Sequence, residues 1–563
     1  MFKNYTSMLK REFSGYNASR LIKDLLAGLT VAAVALPLAL AFGVASGATA
    51  ASGLITAIIA GVVISALSGA SFQISGPTGA MSAVLITIAA NEAIGLNGVF
   101  VVCLIAGVIL LVCGIFRLGK LVSLIPRPVI TGFTSGIAVI IALGQVDNFF
   151  GTVSEGNTAI EKLISYGRLG FTPHLWTLFL GIIVVEIMIL WPKKWNAKVP
   201  SSLIGIIVST VIYVIFRFDG VATVGEIPKT LFLSDRLSFS GLNIDTLMTL
   251  LPSALTVAAL GMIESLLCGA SASRMKNEPF DANTELVAQG VGNILIPFFG
   301  GVPATAAIAR TSVAIKSGAQ TRLTGIFHAL WLLAAMFLLG GVMSLVPMSA
   351  LGGVLLVTAW RMNEWHEIKY IFKKKFIGAI LQFLITMIAT VVFDLTVAIV
   401  IGIIFSLMVF IKNAAHIDVT SAPVDAKRLE ARGKLGSGHD NGVVVYVTGD
   451  MFFANIGKLT DKLTALSEHD EIIISLRGVP DIDITSVETL GELASEFEAQ
   501  GKRVVFCGMN DTVAKVFDKS GIFGELGDGC VYKTIDAVLI EDNICVKAEK
   551  NVAESENENY VKS

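Results

Sequence analysis

From Ile22 to Lys412 the chain is a near-continuous succession of apolar segments, and that run decides what kind of object it can be. Backbone N–H and C=O groups carried into hydrocarbon must be satisfied within the protein, so segments of this kind cross a bilayer as bundled helices. Some fourteen candidate spans can be counted, several of them too short or too interrupted by Gly and Pro to be ordinary crossing helices. With 54% apolar residues, 15% charged residues and a mean hydropathy of +0.74, the chain is not a soluble globular protein. Its 563 residues suit a multi-span region plus one further module. The net charge of −2 averages two unlike regions and says nothing about partners.

Basic residues set the expected orientation. They cluster at Lys3, Lys10, Arg11, Arg20 and Lys23, at Arg117, Lys120 and Arg127, and at Lys193, Lys194 and Lys198. Further clusters are Arg274 with Lys276, Lys316 with Arg322, and Lys369 with Lys373, Lys374 and Lys375. Each follows an even number of spans if the amino terminus is cytoplasmic, which predicts both termini inside. The organisation expected is a cytoplasmic segment 1–21, a transmembrane domain 22–412, a linker 413–440, a soluble domain 441–545 and a disordered tail 546–563. No signal-peptide pattern follows the basic start.

The soluble region reads as strands alternating with helices. GVVVYVTGD (442–450), EIIISLRG (471–478) and KRVVFCGM (502–509) are β-branched runs of buried-strand type. Helical patterns lie between them, so a small α/β domain with a largely parallel sheet is predicted. The six cysteines form no CxxC pair or metal spacing and are expected to be reduced.

Two interrupted spans carry the functional information. SFQISGPTGAMSAVLI (71–86) opens extended, breaks at Gly76-Pro77 and resumes as a helix through Thr78, Gly79 and Ala80. FFGGVPATAAIART (298–311) has the same grammar, with Thr305, Ala306 and Ala307 at its restart. A helix that starts inside the membrane exposes free N–H groups and the positive end of its dipole. Two such starts facing each other make an anion site at mid-membrane. The spacing suggests a repeat: Pro37 lies 41 residues before Thr78, and Glu264 lies 41 residues before Thr305.

Glu264, in AALGMIESLLCG (258–269), puts a carboxylate where a charge costs roughly 2.5–3.5 kcal/mol on insertion scales. Desolvation disfavours the charged form, so Glu264 is the candidate carrier of a coupled proton. The competing reading is an interhelical hydrogen bond or a pair with Arg310. Glu186 is expected to snorkel or bond between helices, and His328 to be satisfied by a neighbour. No GxxxxGK[ST], HExxH, GxSxG or CxxC pattern is present, so neither an ATP-driven pump nor an enzyme is expected. No cofactor, metal or nucleic-acid partner is implied.

SGPTGAMS, GMIESLLCG, FFGGVPATAAIART and the α/β tail together resemble the sulfate permease (SulP) family of anion transporters, whose tail is a STAS domain. The resemblance implies a polytopic α-helical membrane protein of fourteen spans in a seven-plus-seven inverted repeat, divided into core and gate domains. It also implies elevator-like alternating access and a homodimer in the cytoplasmic membrane. By the same resemblance Thr78, Gly79, Ala80, Thr305, Ala306 and Ala307 are substrate-binding, Arg310 adds positive potential and Glu264 is the acidic position beside the site. Cys268 and Ile308 stand where sodium-coupled bicarbonate members carry threonines, which argues against sodium. The run IESLLC looks closer to bacterial members that move four-carbon dicarboxylates with protons. Leu38 replaces a glutamine found in several sulfate and chloride members. In the tail, Asp483 and Thr485 match the STAS turn that bears a phosphorylatable hydroxyl, but Ser486 replaces the usual glycine. Sulfate, bicarbonate and dicarboxylate all fit. A nucleobase-type proton symporter of the same fold and a membrane-tethered anion sensor remain as alternatives.

Overall fold

The computed structural model describes residues 2–91, 94–119, 126–156, 159–192, 199–240, 242–393, 395–424, 441–522 and 530–540. Lys120, the cluster Lys193, Lys194 and Lys198, the later part of the expected linker from 425 and the expected tail 546–563 lie outside the described residues. Two compact units emerge, Met1–Ser406 and Leu407–Ser563.

The first unit opens with α1 (Phe2–Glu12), α2 (Ala18–Ala45) and α3 (Ala50–Leu67). Strand β1 (Ser75–Gly76) leads into the short α4 (Gly79–Ala89), followed by α5 (Gly95–Ile115) and α6 (Arg127–Gly144). The short α7 (Val146–Phe150) and α8 (Ala159–Leu169) precede α9 (Leu175–Leu190) and α10 (Ser201–Phe216). The second half starts with α11 (Ile244–Lys276) and α12 (Ala282–Leu295), then β2 (Thr305–Ala306) and α13 (Ile308–Lys316). It closes with α14 (Leu323–Met343), α15 (Met348–Met362), α16 (Trp365–Lys373), α17 (Ile377–Val392) and α18 (Leu395–Ala414). Among the described residues six helices are long and apolar enough to cross a membrane, and five more are apolar but shorter. With α12, α13 and α15, these account for the fourteen expected segments.

Caps and small residues explain the helix limits. Asn17, Thr49, Asn243 and Asp281 each accept a first-turn N–H of α2, α3, α11 and α12 in turn. Close packing of α2 on α3 depends on Gly53, where a Cβ would sit 2.0 Å from the Ala39 carbonyl oxygen. Helices α2–α5 pack with α11, α12 and α14, whereas α6, α9, α10, α15 and α17 pack chiefly among themselves. These two groups match the expected core and gate. At one end Asp24 of α2 accepts from the N–H groups of Gln320 and Thr321 and from the hydroxyls of Thr321, Thr324 and Tyr16. A buried ion pair, Arg322 with Glu12 at 2.8 Å, ties α1 to the start of α14.

The second unit holds one sheet, ordered β3 (Asp418–Pro423), β4 (Gly442–Thr448), β5 (Glu471–Gly478), β6 (Arg503–Cys507) and β7 (Val531–Tyr532). Strands β4 to β7 are parallel and β3 is antiparallel to β4. Helices α19 (Ile456–Thr464), α20 (Ile484–Ala499), α21 (Asp511–Ser520) and α22 (Ile535–Ile540) complete it. The three predicted strands are present. Strand β3 lies inside the stretch expected to be linker: its side chains are mostly exposed, so no buried run announced it, and pairing with β4 makes it a strand. Asp483 caps α20 and Thr485 is exposed in its first turn, while Ser486 is buried.

Candidate functional site

The broken segments meet as two extended pieces. β1 and β2 pair antiparallel, Ser75 opposite Ala306 and Gly76 opposite Thr305. Helix α4 then starts after Thr78 and α13 after Ala307, and neither start has a side-chain cap. Their first-turn N–H groups are thus left for another acceptor, as the Gly-Pro interruptions predict. The pairing also corrects the repeat register. Spacing aligned Thr78 with Thr305, but the helix caps place Thr78 and Ala307 at equivalent points. The second segment stays extended further past its proline than the first, which moves its helix start along the chain.

Buried polar side chains hold this backbone in place. Asn293 of α12 donates to the Ala304 carbonyl at 2.9 Å and accepts from the Ala304 N–H at 2.8 Å. Gln289, one turn earlier, donates to the Ser75 hydroxyl at 2.8 Å. Ser265 of α11 pairs with the Thr305 hydroxyl at 2.8 Å and accepts from the Ala306 N–H at 3.3 Å. These bonds satisfy backbone that would otherwise be orphaned in an apolar interior.

Glu264, the residue just before Ser265 in α11, turns to the first segment, where the Thr78 hydroxyl donates to its carboxylate at 3.0 Å. Its hydrogen-bond partner is thus Thr78 rather than Arg310, a contact compatible with either reading of this carboxylate. Arg310, in the first turn of α13, is only 1% exposed. Its Nη2 donates to the Pro77 carbonyl at 2.8 Å, while Nη1 has no hydrogen-bond partner among the described residues. The guanidinium therefore reaches across from one broken segment to the other. Gly76 makes room for it, since a Cβ there would lie 2.5 Å from Nη1.

Thr78, Gly79, Glu264, Ala306, Ala307 and Arg310 line one cavity of about 560 Å³. Two other expected site residues do not. Ala80 is buried in the helix core, because the first turn of α4 rotates it away, and Thr305 is fully buried with its hydroxyl held by Ser265. Their types predicted proximity, but local rotation and pairing decide which side each faces.

The opposite wall belongs to the other helix group and was not anticipated. Phe133 and Ile137 of α6, Ser201 and Ser202 of α10, and Thr358, Arg361 and Met362 of α15 line it. Arg361 donates to the Met188 carbonyl at 2.6 Å, and Glu364, just past α15, accepts from Thr131 of α6 at 2.9 Å. The only sequence signal was the polar run Arg361-Met362-Asn363-Glu364 closing an apolar span. Leu38 and Phe42 of α2 face the helix starts from the first wall. Cys268, one turn beyond Glu264, donates its thiol hydrogen to Thr311 at 3.4 Å. Glu186 is exposed on α9. His328 is fully buried within α14.

Comparison with known proteins bears on the family and the fold. The sequence matches the profile of the Sulfate permease family over residues 21–389 and that of the STAS domain over residues 437–538. YvdB of Bacillus subtilis (strain 168), named as a candidate sulfate transporter, is 33% identical over 531 residues, covering 92% of this chain and 96% of its own. The solved transmembrane domain of a cyanobacterial bicarbonate transporter, BicA, is 30% identical with a TM-score of 0.63, covering 68% of this chain and 98% of that domain. Murine Slc26a9, an anion transporter solved in an inward-facing state, superposes with a TM-score of 0.80 at 18% identity, covering 93% of this chain and 92% of its own, which shows a shared fold. A multi-pass helical membrane protein with a carboxyl-terminal STAS domain, this chain belongs to the sulfate permease family of anion transporters.

Proposed function

We propose that this protein is a proton-coupled secondary transporter of a small anion of the sulfate, bicarbonate or four-carbon dicarboxylate class, and not an enzyme. The observation that carries the reading is the convergence of two uncapped helix starts, the Arg310 guanidinium and the Glu264 carboxylate on one wall of one cavity. Helix N-termini and a fixed guanidinium attract an anion, and an ionised carboxylate beside them repels it. Protonation of Glu264 removes that repulsion, so anion binding and proton binding favour each other, the reciprocal linkage a symporter needs.

The wall that carries the site belongs to one helix group and faces a wall of mixed apolar and polar side chains from the other. That division supports an elevator movement in which the site-bearing group slides past the second, within a homodimer whose termini are both cytoplasmic. The location that follows is the cytoplasmic membrane.

The test is uptake into proteoliposomes under an imposed inward proton gradient, with radiolabelled fumarate, sulfate and bicarbonate measured side by side. One anion should accumulate in a gradient-dependent way, and Glu264→Gln should lose at least tenfold of that gradient-driven accumulation. Fully gradient-driven uptake by Glu264→Gln would remove the proton from this residue.

A further inference from the structure

Four cations crowd into residues 369–375: Lys369, Lys373, Lys374 and Lys375. All four are exposed, and among the described residues none makes a side-chain hydrogen bond or ion pair. An unpaired cluster of this density repels itself, so a fixed surface of this kind needs an anionic partner.

The element that carries it narrows the choice. Helix α16 lies between the apolar helices α15 and α17. Lys369 and Lys373 are four residues apart and share a face with His366. Trp365, Ile368 and Phe372 form the adjoining apolar face, and Ile371 beside them is buried. Lys375 is in the left-handed region (φ 54°), which ends the helical turn and starts the approach to α17. Aromatic rings surround the cluster: Trp360 and Trp365 are 4.5 Å apart, the Trp365 indole donates to the Trp360 carbonyl at 3.0 Å, and Tyr370 lies 6.0 Å from Phe376. Trp360, Trp365, Tyr370, Phe372 and Phe376 are all exposed. Exposed indole and phenol rings beside a basic face are the composition of a helix lying in the membrane interface.

We propose that α16 and the residues to Lys375 form a binding site for the headgroups of anionic phospholipids. The lysines meet the phosphates and the aromatic rings sit at headgroup depth. A soluble acidic peptide would satisfy the lysines but leave the ring faces in water, so the bilayer is the partner that fits both halves of the surface. The site also adjoins the transport cavity. Arg361 and Glu364, within the same turn of chain as Trp365, line that cavity, and Glu364 is tied to Thr131 of α6. Lipid held at α16 therefore bears on the Arg361–Glu364 end of the wall opposite Glu264. The assignment does not depend on which anion is carried.

The experiment uses the full-length protein in neutral detergent and follows its thermal unfolding midpoint while phosphatidylglycerol, phosphatidylcholine or inorganic phosphate is added. Phosphatidylglycerol should raise the midpoint of the wild type and phosphatidylcholine should not. Each lysine is worth about fivefold in affinity for an anionic surface, so a variant with all four changed to Gln should require some hundreds-fold more phosphatidylglycerol for the same shift. The four Lys→Arg changes should restore the response. An equal response in the glutamine variant overturns the proposal. So does an equal shift with inorganic phosphate, which would make the cluster a free-anion site. Absence of any wild-type response overturns it as well.

Discussion

The two broken segments begin from the same backbone plan and end with different chemistry. Each is extended, each passes through a proline and each launches an uncapped short helix, and the extended parts hydrogen-bond to each other. The first places a hydroxyl, Thr78, at its helix start and commits it to Glu264. The second places a methyl group, Ala307, at the equivalent point and sends its polar side chain, Arg310, back to the first segment's Pro77 carbonyl. Backbone symmetry supplies two positive helix ends, and side-chain asymmetry decides which of them is tuned by a carboxylate and which holds the permanent charge. Under the proposed function, the repeat would supply the anion site by geometry and confine the proton to the half that carries Glu264.

The largest effect should come from removing the permanent charge. Arg310→Ala empties a buried volume and leaves the Pro77 carbonyl without its donor, which should cost about 3–5 kcal/mol and abolish uptake. Thermal unfolding in detergent together with proteoliposome flux checks both parts. If flux survived at near wild-type rates, the second segment would be contributing its helix end alone.

Thr78→Val removes the hydroxyl from the first helix start while keeping its shape. Its bond to the Glu264 carboxylate, worth about tenfold as a hydrogen bond to a charged group, is lost with it, so the pH dependence of anion affinity should shift by about that factor. Binding calorimetry with the transported anion would show it. The converse variant, Ala307→Ser, makes the two starts more alike. A serine at this position should cap α13 and stabilise it by about 0.5–1 kcal/mol, while competing with the anion for the same N–H groups and weakening binding a few-fold. If Ala307→Ser strengthened binding instead, the hydroxyl rather than the bare N–H groups would be the anion's partner.

The smallest effect lies where the two halves are clamped at their edge. Burial, and then the hydrogen bond to Asp24, push the Tyr16 phenol up from 10.0 to about 12. Between those values the folded state holds the proton and the unfolded state has lost it, so stability should decline as pH rises from about 10 to about 12. Tyr16→Phe should flatten that part of a stability-versus-pH curve, and an unchanged slope would show that the clamp rests on Thr321 and Thr324 alone.

Legibility in the sequence followed the range of the forces involved. Gly-Pro breaks, apolar spans and β-branched strands are local patterns, so the existence of both helix starts, the place of the first, the spans and β4, β5 and β6 could be read directly. Glu264 stood out because a carboxylate in an apolar span is costly wherever it points. Ala80 and Thr305 were misplaced because a small residue near a break gives no sign of the side it faces. Strand β3 was missed because its exposed side chains carry no burial pattern. The far wall with Arg361 escaped notice because helices distant in sequence build it.

By itself, then, the sequence determined that this chain is a membrane bundle with an α/β appendage, that two helices begin within the bundle, and that one carboxylate stands near them. Those features depend on composition and on periodicities a few residues long. Only the tertiary structure decided that Glu264 answers to Thr78, that Arg310 crosses to Pro77, and that the repeat aligns Thr78 with Ala307. Each of these depends on which segments meet after a long loop closes, and contact between segments is a property of packing in three dimensions that residue order constrains without specifying.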